Sequence, residues 1–124
     1  MKGADPVAWM AAYKQAWETL SPALIGMLFA ENARYYITPF VDPLIGRAAV
    51  VEYWQSIASR QKDVQFSYTV MLQEASQAVC QWEATFTRPR SQKRICLNGV
   101  MHLQFDSTGC CLELREWWHR KEQP

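Results

Sequence analysis

The chain has 124 residues, enough for one domain with a true core and too few for two, so it is read as a single unit over 1–124. Its 13 basic and 12 acidic side chains leave a net charge of +1. That balance excludes a global field of the kind that draws nucleic acid or anionic membranes. Six tryptophans in so short a chain exceed what a core of this size needs and point to an apolar cavity or a partner surface.

The start, Met1-Lys2-Gly3-Ala4-Asp5-Pro6, has no apolar run of the secretory kind, and no stretch is long enough to span a bilayer. A cytoplasmic protein is the expectation. Cys80, Cys96, Cys110 and Cys111 lack CxxC spacing and read as reduced small hydrophobes. The vicinal pair Cys110-Cys111 has no neighbour that would lower a thiol pKa for redox work.

Asp5 followed by Pro6 opens a first helix, with Val7, Met10, Tyr13, Ala16, Trp17 and Leu20 at helical spacing. Ser21-Pro22 caps a short second helix bearing Leu24, Ile25, Leu28 and Phe29. A short strand is expected from Ala33 to Thr38, then a loop through Pro39 and Pro43 to Gly46. In the third helix Val50, Tyr53, Trp54 and Ile57 form the apolar stripe.

The second half alternates with period two. Val64, Phe66, Tyr68, Val70 and Leu72 share one face of a strand; Cys80, Trp82, Ala84 and Phe86 share the next; Leu97, Gly99, Met101, Leu103 and Phe105 the third. In the last strand Leu112, Leu114 and Trp118 set the inner face, and Glu116 falls among them. Turns are expected at Glu74 to Gln77, Arg88 to Lys93 and Asp106 to Gly109. Helices first and an antiparallel sheet after them is an α+β arrangement.

A symmetric turn at Arg88 to Lys93 sets Trp82 opposite Gly99, and a turn closed by Ser107-Thr108 sets Gly99 opposite Glu116. Trp82, Gly99 and Glu116 then form one row. Ala84, Leu97 and Trp118 lie on one side of it, Cys80, Met101 and Leu114 on the other. A bulge at Gly109 would instead turn Arg115 and Trp117 inward, at the expense of the apolar count. The opposite face mixes polar residues with Val79, Val100, Cys111 and Trp117, which a merely solvated face would not need. It reads as a homodimer surface.

The order and spacing of several pieces carry a resemblance: the Tyr13 helix, Leu28-Phe29-Ala30-Glu31-Asn32-Ala33, Pro39-Phe40, Ile45-Gly46-Arg47, Tyr53-Trp54, Phe105-Asp106-Ser107-Thr108-Gly109 and the terminal Trp118. Together they resemble the nuclear transport factor 2-like superfamily, especially SnoaL-like proteins and ketosteroid isomerases, along nearly the whole chain. The resemblance implies a cone-shaped, cystatin-like α+β barrel, with three helices on a strongly curved, mainly antiparallel sheet and a pocket opening beside the Pro39 loop. It also implies where the isomerase groups would fall: the tyrosine acid on Tyr13, the catalytic aspartate on Thr38, and the protonated aspartate on Met101. Thr38 cannot abstract a proton at neutral pH and Met101 cannot donate one, so that steroid mechanism is not expected.

Glu116 is the acid among apolar neighbours, and Trp82, Trp118 and Leu114 should raise its pKa toward the range useful for proton transfer. The other reading makes it a structural partner of Arg34 or a tyrosine. Tyr13 is either a donor to a ligand oxygen or is bonded to backbone or Glu116. Tyr36 and Thr38, which share strand parity, and Tyr68 add candidate donors. Trp17, Phe40, Trp54, Trp82, Met101, Leu114 and Trp118 are core residues that a cone allows to line a cavity. His102 and His119 have no second ligand at metal spacing, and no Gly-rich phosphate loop or nucleophile elbow is present. The residues therefore point to a cofactor-free pocket for a small apolar molecule, with Glu116 as base or anchor and Tyr13 as donor. The alternative is a non-catalytic dimeric binding or interaction module.

Overall fold

The computed structural model describes residues 5–123. Helix α1 (Pro6–Thr19) starts where expected: the Asp5 carboxylate accepts from the Ala8 N–H at 3.1 Å, with Pro6 in the first turn. Its stripe differs by one residue at the start. Val7 is exposed, and Trp9 is buried in its place, donating through Nε1 to the Leu28 carbonyl at 2.9 Å. Helix α2 (Pro22–Leu28) is capped by Ser21, and α3 (Arg47–Ala58) buries Val50, Trp54 and Ile57.

Strand β1 is longer at its start than the sequence pattern implies: it runs Phe29–Tyr36, against an expected Ala33 to Thr38. The following loop contains the two-residue strand β2 (Leu44–Ile45), which pairs with β1 at Arg34 and Tyr35. The long strands are β3 (Lys62–Glu74), β4 (Gln77–Thr87), β5 (Arg94–Phe105) and β6 (Cys111–Gln123). They build one six-stranded sheet in the order β2-β1-β6-β5-β4-β3, in which only β1 and β6 run parallel. The helices pack on its concave side, and the core between them is largely aromatic: Trp9, Tyr13, Trp17, Phe29, Trp54, Phe66 and Trp82 interlock with ring centroids 4.8–6.5 Å apart.

Helix α1 also covers the outermost long strand. The Phe66 N–H donates to Glu18 at 3.1 Å and Lys14 donates to the Phe66 carbonyl at 2.7 Å, while Lys14 and Glu18 pair with each other at 3.0 Å. These side chains satisfy backbone groups that an open sheet edge leaves bare.

The expected pairing of Trp82 with Gly99 is present. The next pairing is displaced by two residues: Gly99 faces Trp118, and Glu116 faces Met101. Two single-residue offsets cause this. The turn spans Asp106 to Cys110, with the Asp106 N–H bonded to the Cys110 carbonyl, and Leu112 bulges between the pairs Gln104–Glu113 and Phe105–Cys111. One offset would have flipped the strand; two restore its parity, so Glu116 still points inward. The exchange buries Cys111, expected on the outer face, and leaves Leu112 half-buried. A similar irregularity at Met71 leaves Leu72 exposed rather than inward.

At Gly99 the β5 backbone lies close against β6. A Cβ there would collide with the Trp117 carbonyl oxygen and lie 2.7 Å from the Trp118 Cβ. Backbone cannot yield as a flexible side chain can. Gly99→Ala should therefore cost about 1–3 kcal/mol, the usual range for overpacking, read as a lower midpoint in urea unfolding; an unchanged midpoint would show that the strands separate freely at this row.

Candidate functional site

A cavity of about 480 Å³ opens between the concave sheet, α3 and the β4–β5 hairpin. That is within the usual size of a small-molecule site. Trp17, Trp82, Phe86, Leu97, Trp118 and Ile57 make its apolar wall, with Tyr35, Tyr53 and Glu116 among the polar groups. The Trp118 indole is held by its Nε1 donating to the Ile37 carbonyl at 2.9 Å, which ties β6 to the chain leaving β1.

Glu116 is the buried charged residue of the described chain. Its partner is a tyrosine, not Arg34. Tyr35 donates its hydroxyl to Glu116 Oε1 at 3.3 Å, and the hydroxyls of Tyr35 and Tyr13 lie 3.2 Å apart. Parallel pairing of Tyr35 with Leu114 sets these groups side by side, since it brings the inner row of β1 beside the inner row of β6. Burial pushes the Glu116 carboxyl up to about 8, against the pull of the Tyr35 and Tyr13 hydroxyls, which favour the carboxylate. The same burial, with the neighbouring Glu116, raises Tyr53 to about 12 and lifts Tyr13 and Tyr35 well above the ordinary phenol range.

Of the residues singled out by sequence, Glu116, Trp17, Trp82 and Trp118 line this cavity together. Tyr13 and Trp54 are buried behind it, and Tyr13 reaches it only through Tyr35. Met101 and Leu114 are wholly buried on the inner sheet face. Tyr68 is half-buried against Phe66, away from the opening. Tyr36 and Phe40 border a second recess of about 230 Å³ beside the Pro39 loop, which Glu116 also lines; there Arg115 lies 3.9 Å over the Tyr36 ring and Phe40 is 99% exposed. Thr38 is half-buried in the bend after β1.

Tyr35 and Tyr53 are additional to the sequence-based set. For Tyr35 a signal existed: Ala33, Tyr35 and Ile37 alternate, whereas placing Tyr36 and Thr38 inward inverts the parity of β1. Tyr53 was legible only as a member of the α3 stripe. Among the described residues no cluster of three His, Cys, Asp or Glu side chains is placed to hold a metal ion. Burial pushes the Cys80 thiol up to about 11 and raises Cys111 well above its usual value, the reverse of what a reactive thiol needs.

The family model described as SnoaL-like domain matches residues 10–110. No curated protein matches the chain. Among solved structures it is similar to SalBIII, an epoxide hydrolase/cyclase-like enzyme with a role in pyran ring formation in the polyether salinomycin. The two are 21% identical over 91% of this chain and 89% of that one, with a TM-score of 0.79. It is also similar to a putative aromatic ring hydroxylase from Novosphingobium aromaticivorans, at 15% identity, 95% and 90% coverage and a TM-score of 0.76. A hypothetical protein with a ketosteroid isomerase-like fold from Catenulispora acidiphila, in complex with trimethylamine, is similar at 13% identity, 88% and 83% coverage and a TM-score of 0.77. At these identities the likeness is one of fold.

The raised carboxyl has a thermodynamic consequence. Its folded pKa of about 8 lies above the ordinary 4.5, so the folded state holds a proton that the unfolded chain releases in between. This group's contribution to stability is therefore greatest below about 4.5, declines as pH rises, and is fully lost above about 8. Glu116→Gln, which mimics the protonated form, should melt progressively higher than the parent as pH rises from 5 to 9. Parallel melting curves across that range would mean that Glu116 does not titrate in this way. Tyr35→Phe, which removes the bond favouring the carboxylate, should move the Glu116 titration higher still, as followed by its carboxyl infrared band.

Proposed function

As the chain belongs to the SnoaL-like domain family, we propose that it binds a small, mainly apolar molecule and converts it by cofactor-free acid–base chemistry of the isomerase, cyclase or dehydratase type. One observation carries this reading: the Glu116 carboxyl stands in the wall of an aromatic cavity with a tyrosine, not an arginine, as its partner. An ion pair would have pinned the carboxylate in its charged form. A tyrosine leaves it free to take a proton, and burial sets its pKa at about 8, near the pH at which a general base works best.

In the reaction, Glu116 takes a proton from a carbon or hydroxyl of the bound molecule while Tyr35 steadies its orientation. Tyr53, on the facing helix and lining the same cavity, donates to the oxygen on which charge develops. Tyr13 supports Tyr35 from behind. The likeness to SalBIII, an enzyme of pyran ring formation, supports the cyclase member of this set.

The test is turnover of candidate ring-closing or isomerising substrates by the parent and by Glu116→Gln. Proton transfer by a positioned side chain contributes roughly 10²–10⁴-fold, and the variant should lose a factor of that order with its fold intact. Used as a base, Glu116 makes kcat/KM rise with pH and level off above about 8. Turnover that is equal in both proteins would remove Glu116 from the chemistry and favour the non-catalytic binding module.

A second copy of the chain is the partner proposed for the outer sheet face. Trp117 is 47% exposed there, directly paired with Val100, and Val79 is half-buried on the same face. An exposed tryptophan beside a valine, with a second valine further across the same face, is the make-up of an interface centre. Trp117→Glu should shift sedimentation from dimer to monomer; a parent that sediments as a monomer at every concentration would overturn this assembly.

A further inference from the structure

Arginines collect at the mouth of the cavity. Arg60 follows the end of α3, Arg88 and Arg90 sit on the β4–β5 hairpin, and Arg120 lies on β6; all four line the same opening. The one carboxyl in that lining is Glu116, at the apolar end. None of the four arginines is ion-paired with a carboxylate among the described residues. Glu122, two residues past Arg120 on β6, is paired with Lys93 at 3.5 Å. Arg60 donates to the Ser56 carbonyl at 3.1 Å and to its hydroxyl at 3.3 Å, so α3 holds it in place.

The hairpin that carries Arg88 and Arg90 is internally fixed. The Arg88 N–H bonds the Lys93 carbonyl at 2.9 Å, the Gln92 N–H bonds the Arg88 carbonyl at 2.8 Å, and the Gln92 side chain donates to the Pro89 carbonyl at 2.7 Å. Lys62 at the start of β3 adds a bond to Gln92 at 3.2 Å. Three elements therefore bring uncompensated guanidinium groups to one rim. Their mutual repulsion is relieved by an anion, and the planar fork of arginine suits a carboxylate.

Along β6, Glu116, Trp118 and Arg120 alternate on the cavity side, from the buried end to the mouth. Four residues of strand span roughly 13 Å. We infer that the cavity takes a carboxylic acid with an extended apolar body, its carboxylate held at the rim by Arg88, Arg90 and Arg120 and its far end lying against Glu116, Tyr35 and Tyr53. This rests on the pocket reading above and adds the charge and reach of the molecule. It also fixes the direction of entry, since the body must pass the arginines before reaching the carboxyl.

The test uses two fluorescent probes with the same body, pyrenebutyrate and its neutral alcohol pyrenebutanol, titrated into the full chain. Charge-assisted hydrogen bonds are worth enough that the acid should bind at least about tenfold more tightly than the alcohol at low salt. The preference should shrink as salt is raised. The triple variant Arg88→Gln, Arg90→Gln, Arg120→Gln, all at exposed positions, should bind the alcohol as the parent does and lose the preference for the acid. Equal binding of both probes by the parent, or a preference that survives the triple variant, overturns the carboxylate inference and leaves the pocket reading standing. Failure of both probes to bind overturns both.

Discussion

Strand β6 is the element on which the site depends, because it lies between its parallel neighbour β1 and its antiparallel neighbour β5. Its inward row reads Leu114, Glu116, Trp118, Arg120, passing from closed core to cavity wall to open rim. Glu116 and Tyr35 are placed by that row and by the strand that pairs with it, while Tyr53 comes from the facing helix α3. Tyr35 reaches Glu116 because β1 runs parallel beside β6. Gly99 allows the β5 backbone close enough for Trp118 to fold over the wall. Losing the parity of β6 would place Arg115 and Trp117 in the core and expel the acid.

That parity survives by compensation. The alternation of apolar residues in β6 correctly places Glu116 inward, yet the residue facing it is Met101 rather than Gly99. Turn length is poorly encoded by Asp106-Ser107-Thr108-Gly109-Cys110, and a bulge at Leu112 has no local signature beyond one misplaced apolar residue. Side-chain direction was legible because burial energy selects it over many residues at once; register was not, because it depends on two local irregularities whose errors happen to cancel. The helix starts were legible for the opposite reason. Asp5-Pro6 and Ser21-Pro22 are complete local instructions that need no distant partner. The identity of the acid's partner was the least legible of all, since it requires knowing that β1 and β6 are parallel and which face of β1 turns inward.

Burying an ionisable carboxyl is costly, and the surroundings show how the cost is contained without an opposing cation. Glu116 stays largely protonated near neutrality, as desolvation dictates, and the Tyr35 bond steadies rather than neutralises it. Tyr13 in turn completes the hydrogen bonding of Tyr35 within an otherwise aromatic core. A structural ion pair would have given the fold more at high pH and the cavity nothing. The arrangement trades stability for a titratable group, which is the exchange expected at a working site.

The distribution of charge along the cavity extends the same logic to its entrance. Arginines would be the worst neighbours for Glu116 if the aim were to keep it protonated, because a nearby cation favours the carboxylate. They stand instead at the rim, separated from the acid by Trp118 along β6 and facing solvent that screens them. A molecule that neutralises the rim also excludes this solvent and closes the apolar wall over Glu116. Binding then strengthens the two demands together: the anion settles the arginines, and its body keeps the far carboxyl dry, so that the fraction of Glu116 that is ionised is a stronger base than a solvated carboxylate.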